Sequence, residues 1–230
     1  MAEQRGVREV VQVEQRQIQA SAYKNLLVLA TITAVGIFGR VIFQFIPSVE
    51  PLTALAIAIG YFYGLRYGIF VGAVGFFASN FFVWGFQGPW TIFQVIGAAL
   101  AATAGALVGR LPNAKNRMKT FVIALALGTI AFEIAVNIGW GLMLSIFAPV
   151  NTMMALMALS FIGALPFAVI HVASSIGFGA ILYEFRDKLL PVKGDEVEYK
   201  ISRFWVGDGF RSFHGSTVLR YPAPRRKKSR

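Results

Sequence analysis

Long apolar runs, separated by short polar connections, fill the middle of the chain. They predict α-helices over residues 26–46, 52–65, 67–84, 91–109, 119–147 and 153–184. A helix of about 20 apolar residues crosses the hydrocarbon core of a bilayer. The second and third runs are shorter and are joined by Gly64–Gly68. We interpret them as two helices with a tight turn, and one re-entrant hairpin is the alternative. The pattern predicts an all-α integral membrane protein, a bundle of six transmembrane helices.

Composition agrees with this fold class and excludes several functions. Hydrophobic residues make up 56% of the chain and charged residues 14%, whereas soluble domains contain about 45–50% apolar residues even with glycine included. The chain has no cysteine, which excludes disulfides, thiol nucleophiles and cysteine-based metal sites. It also lacks a Gly-x-x-x-x-Gly-Lys phosphate loop and any His and carboxylate spacing typical of metal sites. We therefore expect no metal, no cofactor, no cleaved signal peptide and no ATP hydrolysis by this chain.

The basic residues predict the orientation of the bundle. Of 22 Lys and Arg residues, 21 lie in the N-terminal segment, the second and fourth connections and the C-terminal segment. The positive-inside rule then places both termini in the cytoplasm. We predict a cytoplasmic tail over residues 1–25, a membrane domain over 26–185 and a basic cytoplasmic tail over 186–230. We interpret the C-terminal tail as a topology determinant that touches anionic lipid, with no nucleic acid as a partner; RNA binding is the alternative.

Amide side chains interrupt the apolar pattern on both sides of the third connection, in the stretch NFFVWGFQGPW and just after it. A turn does not need Asn80 before it and Gln94 after it, and burying an amide without a partner costs about 1–3 kcal/mol. With the orientation above, these polar residues concentrate in the outer half of the bundle, where they predict a ligand site. The predicted substrate-binding residues are Arg40, Asn80, Gln87, Trp90, Gln94 and Asn137.

Each of these polar residues also has a structural interpretation. Arg40, inside helix one, can pair with Glu50 in the first outer connection. Glu133 is either protonated or paired within the bundle, since ionisable groups in a membrane rarely stay unpaired. His171 packs between helices, or it forms a nucleophile pair with Ser174. An aromatic belt at the membrane surface is the alternative for three tryptophans, Trp84, Trp90 and Trp140.

Three motifs together resemble a known family. They are Ala30-x-x-x-Ala34, Gly39-Arg40-x-x-Phe43-x-x-x-Pro47-x-x-x-Pro51-x-x-Ala54, and Ser79-Asn80-Phe81-Phe82 followed by Gly88-Pro89-Trp90-Thr91-x-x-Gln94. In these motifs and in its six helices, the chain is similar to the substrate-binding S components of energy-coupling factor (ECF) transporters. The resemblance covers residues 25–185.

The resemblance implies a transport function in the plasma membrane of a prokaryote. Proteins of this family capture a vitamin or related micronutrient from outside and dock on a transmembrane coupling protein driven by two cytoplasmic ATPases. By motif position, Ala30 and Ala34 would form the docking face, and the first outer connection would act as a lid. The third motif is most similar to S components for cobalamin or its precursors. A flavin, a thiamin precursor or a deazapurine would suit the same side chains.

The sequence thus favours a binding subunit rather than an enzyme. An intramembrane enzyme using Glu133, His171 and Ser174 is the second interpretation. A membrane scaffold whose basic tail recruits a partner is the third.

Overall fold

A computed structural model of the chain describes residues 2–83, 85, 87–146 and 148–186, with side chains from residue 23 onward except at 115 and 150. Within these ranges the elements are six α-helices and two short 3-10 turns, with no strand. The helices are α1 (Ala2–Phe43), α2 (Pro51–Tyr63), α3 (Leu65–Ser79), α4 (Trp90–Gly109), α5 (Met118–Ser145) and α6 (Met153–Glu184). Trp84 and the predicted tail after Arg186 lie outside the described residues.

The predicted all-α class is confirmed, and four helical segments are long and apolar enough to cross a membrane. These are Tyr23–Phe43, Trp90–Gly109, Met118–Ser145 and Met153–Glu184. The structure therefore indicates a multi-pass membrane protein. The other two helices, α2 and α3, have 13 and 15 residues, fewer than the roughly 20 of a full crossing.

Two helix boundaries differ by five residues or more from those expected from the apolar pattern, and the others agree to within three residues. Helix α1 starts at Ala2, upstream of the expected residue 26, and α3 ends at Ser79 although the apolar run continues to residue 84. After Ser79 the backbone tightens, because the N–H groups of Phe81 and Phe82 donate to carbonyls three residues back. Both phenylalanines are exposed. Apolar residues in a membrane protein therefore extend past the end of the helix.

Helix α2 forms the centre of the bundle. Every residue from Leu52 to Phe62 is buried, and α2 contacts each of the other helices. Its contact with α4 has almost no space for side chains, because a Cβ atom on Gly60 or Gly105 would collide with a backbone carbonyl of the facing helix. Small residues at such crossings let helices pack backbone to backbone in lipid.

The glycines spaced four apart in α2 and α3 serve this internal packing. Gly64 has a φ of +105° and forms the turn between the two helices. Added Cβ atoms would lie 2.7 Å from Gly60 Cα at Gly68 and 3.1 Å from the Ala98 methyl group at Gly72. Helices α2 and α3 therefore pack closely against each other, and α3 packs closely against α4.

The two ends of the bundle differ in charge. We call the end with the α1–α2, α3–α4 and α5–α6 connections the distal end, and the opposite end the proximal end. The basic residues at the proximal end are Arg66, Arg110, Lys115, Arg117, Lys119 and Arg186. The three distal connections carry no Lys or Arg.

Candidate functional site

Arg40 is the centre of a buried polar cluster at the distal end. It lies in the last turn of α1 and is only 7% exposed. Its Nε donates to Glu50 Oε1 in the first connection, and its Nη1 donates to Ser79 Oγ at 2.6 Å and to Asn80 Oδ1. The guanidinium carbon also lies 4.6 Å from the centre of the Phe76 ring. Through these bonds the buried charge of Arg40 holds α1 against the first connection and the end of α3.

Asn80 extends the cluster from α3 to α4. Its side chain is fully buried, and Nδ2 donates to Thr91 Oγ1 at 2.9 Å and to Gln94 Oε1 at 2.6 Å. Because α3 ends at Ser79 and α4 starts at Trp90, the turn between them brings these side chains to one level. The two amides expected to lie close together do so, and they bond each other and Arg40.

The orientation of the Gln94 amide decides its partners. When its Oε1 accepts from Asn80, its nitrogen faces Trp90 Nε1 and Arg40 Nη2, both donors, at 3.1 Å. With the amide reversed, its oxygen accepts from both groups, and its nitrogen donates to Gln87 Oε1 and Asn80 Oδ1 at 3.1 Å. An amide's orientation is assigned from its partners, and the reversed orientation satisfies both ends of Gln94. The Gln94 amide therefore connects Arg40, Trp90, Gln87 and Asn80.

Two aromatic rings and one further amide border this cluster. Trp90 packs edge to face against Trp140 of α5, with ring centres 5.4 Å apart. The Gln87 side chain lies 3.1 Å from the Gln94 amide, and its nitrogen donates weakly to the Val83 carbonyl at 3.4 Å. An apolar rim thus adjoins the amides.

A second set of polar side chains continues from Glu50 into α5 and α6. His171 is 2% exposed, and its Nδ1 lies 2.6 Å from Glu133 Oε1. Its other ring nitrogen, Nε2, lies 3.8 Å from Glu50 Oε2 and has no hydrogen-bond partner among the described residues. One turn along α6, Ser174 Oγ donates to the Ser48 carbonyl at 3.1 Å. Glu50 therefore connects the Arg40 cluster to α6.

Asn137 belongs to this second set and not to the amide cluster. Its Nδ2 donates to the Glu133 carbonyl at 2.8 Å, and Ser160 of α6 donates to the Asn137 carbonyl at 2.9 Å. A cavity of about 210 Å³ lies between α5 and α6 and is bounded by Glu133, Asn137 and apolar side chains. Of the six predicted binding residues, five are grouped around Gln94, and Asn137 is linked to them only through Glu133, His171 and Glu50.

Sequence reasoning missed several members of the network. Ser79 accepts a hydrogen bond from Arg40, and Thr91 accepts one from Asn80. Both residues stand in the third motif close to its amides, and this position could have indicated their role. The pairing expected between Arg40 and Glu50 is present, and Glu133 is paired within the bundle, with His171. The sequence grouped Glu133 with His171 only in the enzyme interpretation, and no spacing or motif identifies this partner, which lies 38 residues away.

The two alanines of the predicted docking face, Ala30 and Ala34, are exposed on α1. Their neighbours on the same surface, Leu27, Val35 and Phe38, are exposed as well. This side of α1 is thus a surface of small and apolar side chains turned away from the bundle.

The catalytic interpretation has one element of the required geometry. Glu133 is placed to orient the His171 ring, as an acid orients a base. The Ser174 hydroxyl, however, donates to two backbone carbonyls, those of Ser48 and His171. Nucleophilic catalysis instead needs a hydroxyl bonded to the imidazole ring.

The fold and this network define a multi-pass α-helical membrane protein whose distal end holds buried, hydrogen-bonded charges and amides. Comparisons with protein-family models, with curated proteins and with solved structures give no match.

Proposed function

We propose that this chain is the substrate-binding S component of an ECF transporter in the plasma membrane of a prokaryote. In this proposal the distal end faces outward and binds a vitamin-like ligand. The protein then docks on a transmembrane coupling protein that two ATPases drive. The convergence of Arg40, Asn80, Trp90 and Gln94 at one end of the bundle carries the proposal.

The donors beside Gln94 support a ligand that presents hydrogen-bond acceptors. Carbonyl oxygens can accept from Arg40 Nη2 and Trp90 Nε1, the two groups that face the Gln94 amide at 3.1 Å. The ring pair formed by Trp90 and Trp140 offers an apolar surface for stacking. Cobalamin or a precursor, with an amide-rich rim and a broad apolar face, is the substrate that we favour.

Binding must open this cluster. Asn80 is fully buried and Gln94 is 7% exposed, and the two amides bond each other. A ligand acceptor therefore replaces Gln94 or Gln87 as a partner of the donors. Preorganised donors lose little on such an exchange, because each keeps a hydrogen bond.

The direct test is to identify what the purified protein carries. The full chain is purified in mild detergent, its small molecules are released and analysed by mass spectrometry, and its visible spectrum is recorded for a corrinoid. A stoichiometric corrinoid is the expected result. If candidate vitamins neither co-purify nor bind in titration, the chain is not a vitamin-capture subunit, and a scaffold role becomes the better proposal.

A further inference from the structure

Three hydroxyl groups inside the bundle are fully buried and have no hydrogen-bond partner among the residues that the structure describes. They belong to Thr53 of α2, Thr129 of α5 and Ser175 of α6, and each residue is 0% exposed. Burying a hydroxyl without a partner is unfavourable, and buried polar groups in native proteins nearly always bond protein or ordered water. These three hydroxyls therefore call for a partner.

Other hydroxyl groups in the helices bond to their own helix. Thr33, Thr103 and Ser145 each donate to the carbonyl four residues back, at 2.7 Å. This bond satisfies a serine or threonine in a helix without any outside partner. The three buried hydroxyls do not form it within the described chain, although Thr129 and Ser175 lie well inside long helices. Their hydroxyls are therefore available to a partner between the helices.

The contacts between α5 and α6 place two of these hydroxyls at one level. These contacts are spaced by multiples of four residues along both helices, which run antiparallel. From the proximal end they are Phe121 with Tyr183, Leu125 with Gly179, and Glu133 with His171. One position of the series lies between the last two contacts, and it is occupied by Thr129 on α5 and Ser175 on α6. Because residues four apart share a helix face, both side chains lie at the boundary between α5 and α6.

Helix α2 brings the third hydroxyl to the same level. Two contacts align α2 with α6, which runs in the same direction: Glu50 with His171 at 3.8 Å and, twelve residues further along both, Phe62 with Tyr183. Thr53 and Ser175 each follow the first of these contacts by about one turn. We call Thr53, Thr129 and Ser175 the hydroxyl layer. It lies where α2 contacts both α5 and α6.

We propose that the hydroxyl layer is a binding site for ordered water, which bridges α2, α5 and α6 inside the bundle. A buried water molecule makes about three hydrogen bonds, to polar groups that otherwise lack partners. The three hydroxyls supply this number, and each donates or accepts as the water requires. Helix α6 buries only five of its 32 residues, so the bridge through Ser175 joins a loosely covered helix to the centre of the bundle.

Water suits this layer better than a metal ion does. In the described part of the chain, no group of three or more His, Cys, Asp or Glu side chains is placed to hold a metal. The layer itself consists of neutral hydroxyls, so no charge has to be balanced within it. A neutral molecule that both donates and accepts hydrogen bonds satisfies all three groups.

The water is observed directly by solid-state NMR on the full chain in lipid bilayers. With 13C-labelled threonine, magnetisation that starts on water reaches the side chains nearest to water first, and Thr53→Val and Thr129→Val assign the two signals. We expect Thr53 and Thr129 to rise early although both are fully buried. Thr33, which is 3% exposed and bonds its own helix, is the matched control and should rise late. An equally late rise of all three would overturn the proposal.

Substitution separates a hydrated layer from a dry one. Thr129→Val keeps the shape of the side chain and removes its hydroxyl. In a hydrated layer the water loses a partner, so the Tm in detergent should fall by roughly 2–4 °C, as for the loss of one net hydrogen bond. Thr103→Val, whose hydroxyl bonds its own helix, is the control and should change Tm less. In a dry layer the unpaired hydroxyl destabilises the protein, and a Tm raised by Thr129→Val would therefore refute the site.

A shared water also couples the hydroxyls to one another. Ser175→Ala should lower Tm less in the Thr129→Val background than in the parent, since the water is already weakly held there. Fully additive losses would show separate sites and contradict the bridge.

The salt dependence distinguishes water from a cation. Replacing sodium chloride by choline chloride at constant ionic strength should leave Tm unchanged. A stabilisation specific to sodium that Thr129→Val abolishes would replace water by a cation and overturn the proposal. No vitamin is used in any of these measurements, so their outcome is independent of the proposed transport function.

Discussion

Glu50 neutralises Arg40 in a site from which both side chains are largely excluded from solvent, at 14% and 8% exposure. Removing one partner of a buried ion pair costs about 3–5 kcal/mol, because the other charge is left uncompensated. We expect Glu50→Gln to lower the free energy of unfolding in detergent by about 3 kcal/mol, since Arg40 keeps its bonds to Ser79 and Asn80. Glu184→Gln, at an exposed position in the last turn of α6, is the control and should change it by less than about 0.5 kcal/mol.

The double variant Arg40→Met with Glu50→Leu tests the cause. Replacing both charges by apolar groups of similar size is often neutral, so the double variant should be more stable than Glu50→Gln. If it is less stable, the loss comes from packing and not from the unpaired guanidinium.

The amide cluster makes a prediction about affinity. Removing a side chain that bonds a buried ligand group costs roughly 1–3 kcal/mol, or about five- to 150-fold in Kd. We expect this loss for Asn80→Ala, Trp90→Ala and Gln94→Ala in a ligand titration, once each variant is shown to be folded. Asn151→Ala removes an exposed amide outside the cluster and should bind as the parent does. Parental affinity in all three would mean that the cluster is structural and that the ligand binds elsewhere.

At the scale of helices, glycine residues allow the close approach of α2 and α4. A methyl group on Gly105 would collide with the Ile57 carbonyl, whereas one on Gly177 of α6 would meet nothing within 4 Å. Overpacking costs about 1–3 kcal/mol or more when the obstacle is backbone. Gly105→Ala should lower thermal stability accordingly, and Gly177→Ala should leave it unchanged or raise it slightly. Equal stability of the two variants would show that α2 and α4 can move apart.

The exposed face of α1 makes a prediction about assembly. Under the proposed transport function, Ala30→Trp with Ala34→Trp should leave ligand binding intact and abolish co-purification with a coupling protein, because a close helix crossing admits only small side chains. Ile92→Trp, on an exposed face of α4, is the matched control and should assemble normally. Normal assembly of the double variant would rule out this face of α1.

What could be predicted from the sequence also divides by scale. The contact between Asn80 and Gln94 was predictable because a short connection brings the ends of two consecutive helices close together. The pairing of Glu133 with His171 was not, because α5 and α6 are apolar on all sides and their rotation is set by packing alone. The end of α3 at Ser79 was missed for a related reason: exposed phenylalanines continue the apolar run past the helix.

For the whole molecule, the segregation of basic residues predicts an orientation. Cysteines placed at Asn113, in the proximal α4–α5 connection, and at Asn151, in the distal α5–α6 connection, lie at opposite ends of the bundle. In intact cells a membrane-impermeant thiol reagent should label Asn151→Cys and spare Asn113→Cys until the cells are lysed, since positively charged connections stay in the cytoplasm. The reverse pattern would place the amide cluster inside the cell and remove the basis for ligand capture from outside.

The short central hairpin also affects the surrounding lipid. At 1.5 Å per residue, the 15 residues of α3 extend only about 22 Å, against a hydrocarbon core of about 30 Å. Helix α2 is enclosed by protein, but α3 exposes Val74 and Phe77, and the turn after it exposes Phe81 and Phe82. This short helix and its turn therefore border the lipid. A short apolar flank makes the adjoining leaflets thin to match it, at a small cost for each ångström of hydrophobic mismatch. The bilayer should therefore be thinner beside α3 than elsewhere around the protein. We expect the protein to be more stable in short-chain than in long-chain phospholipids.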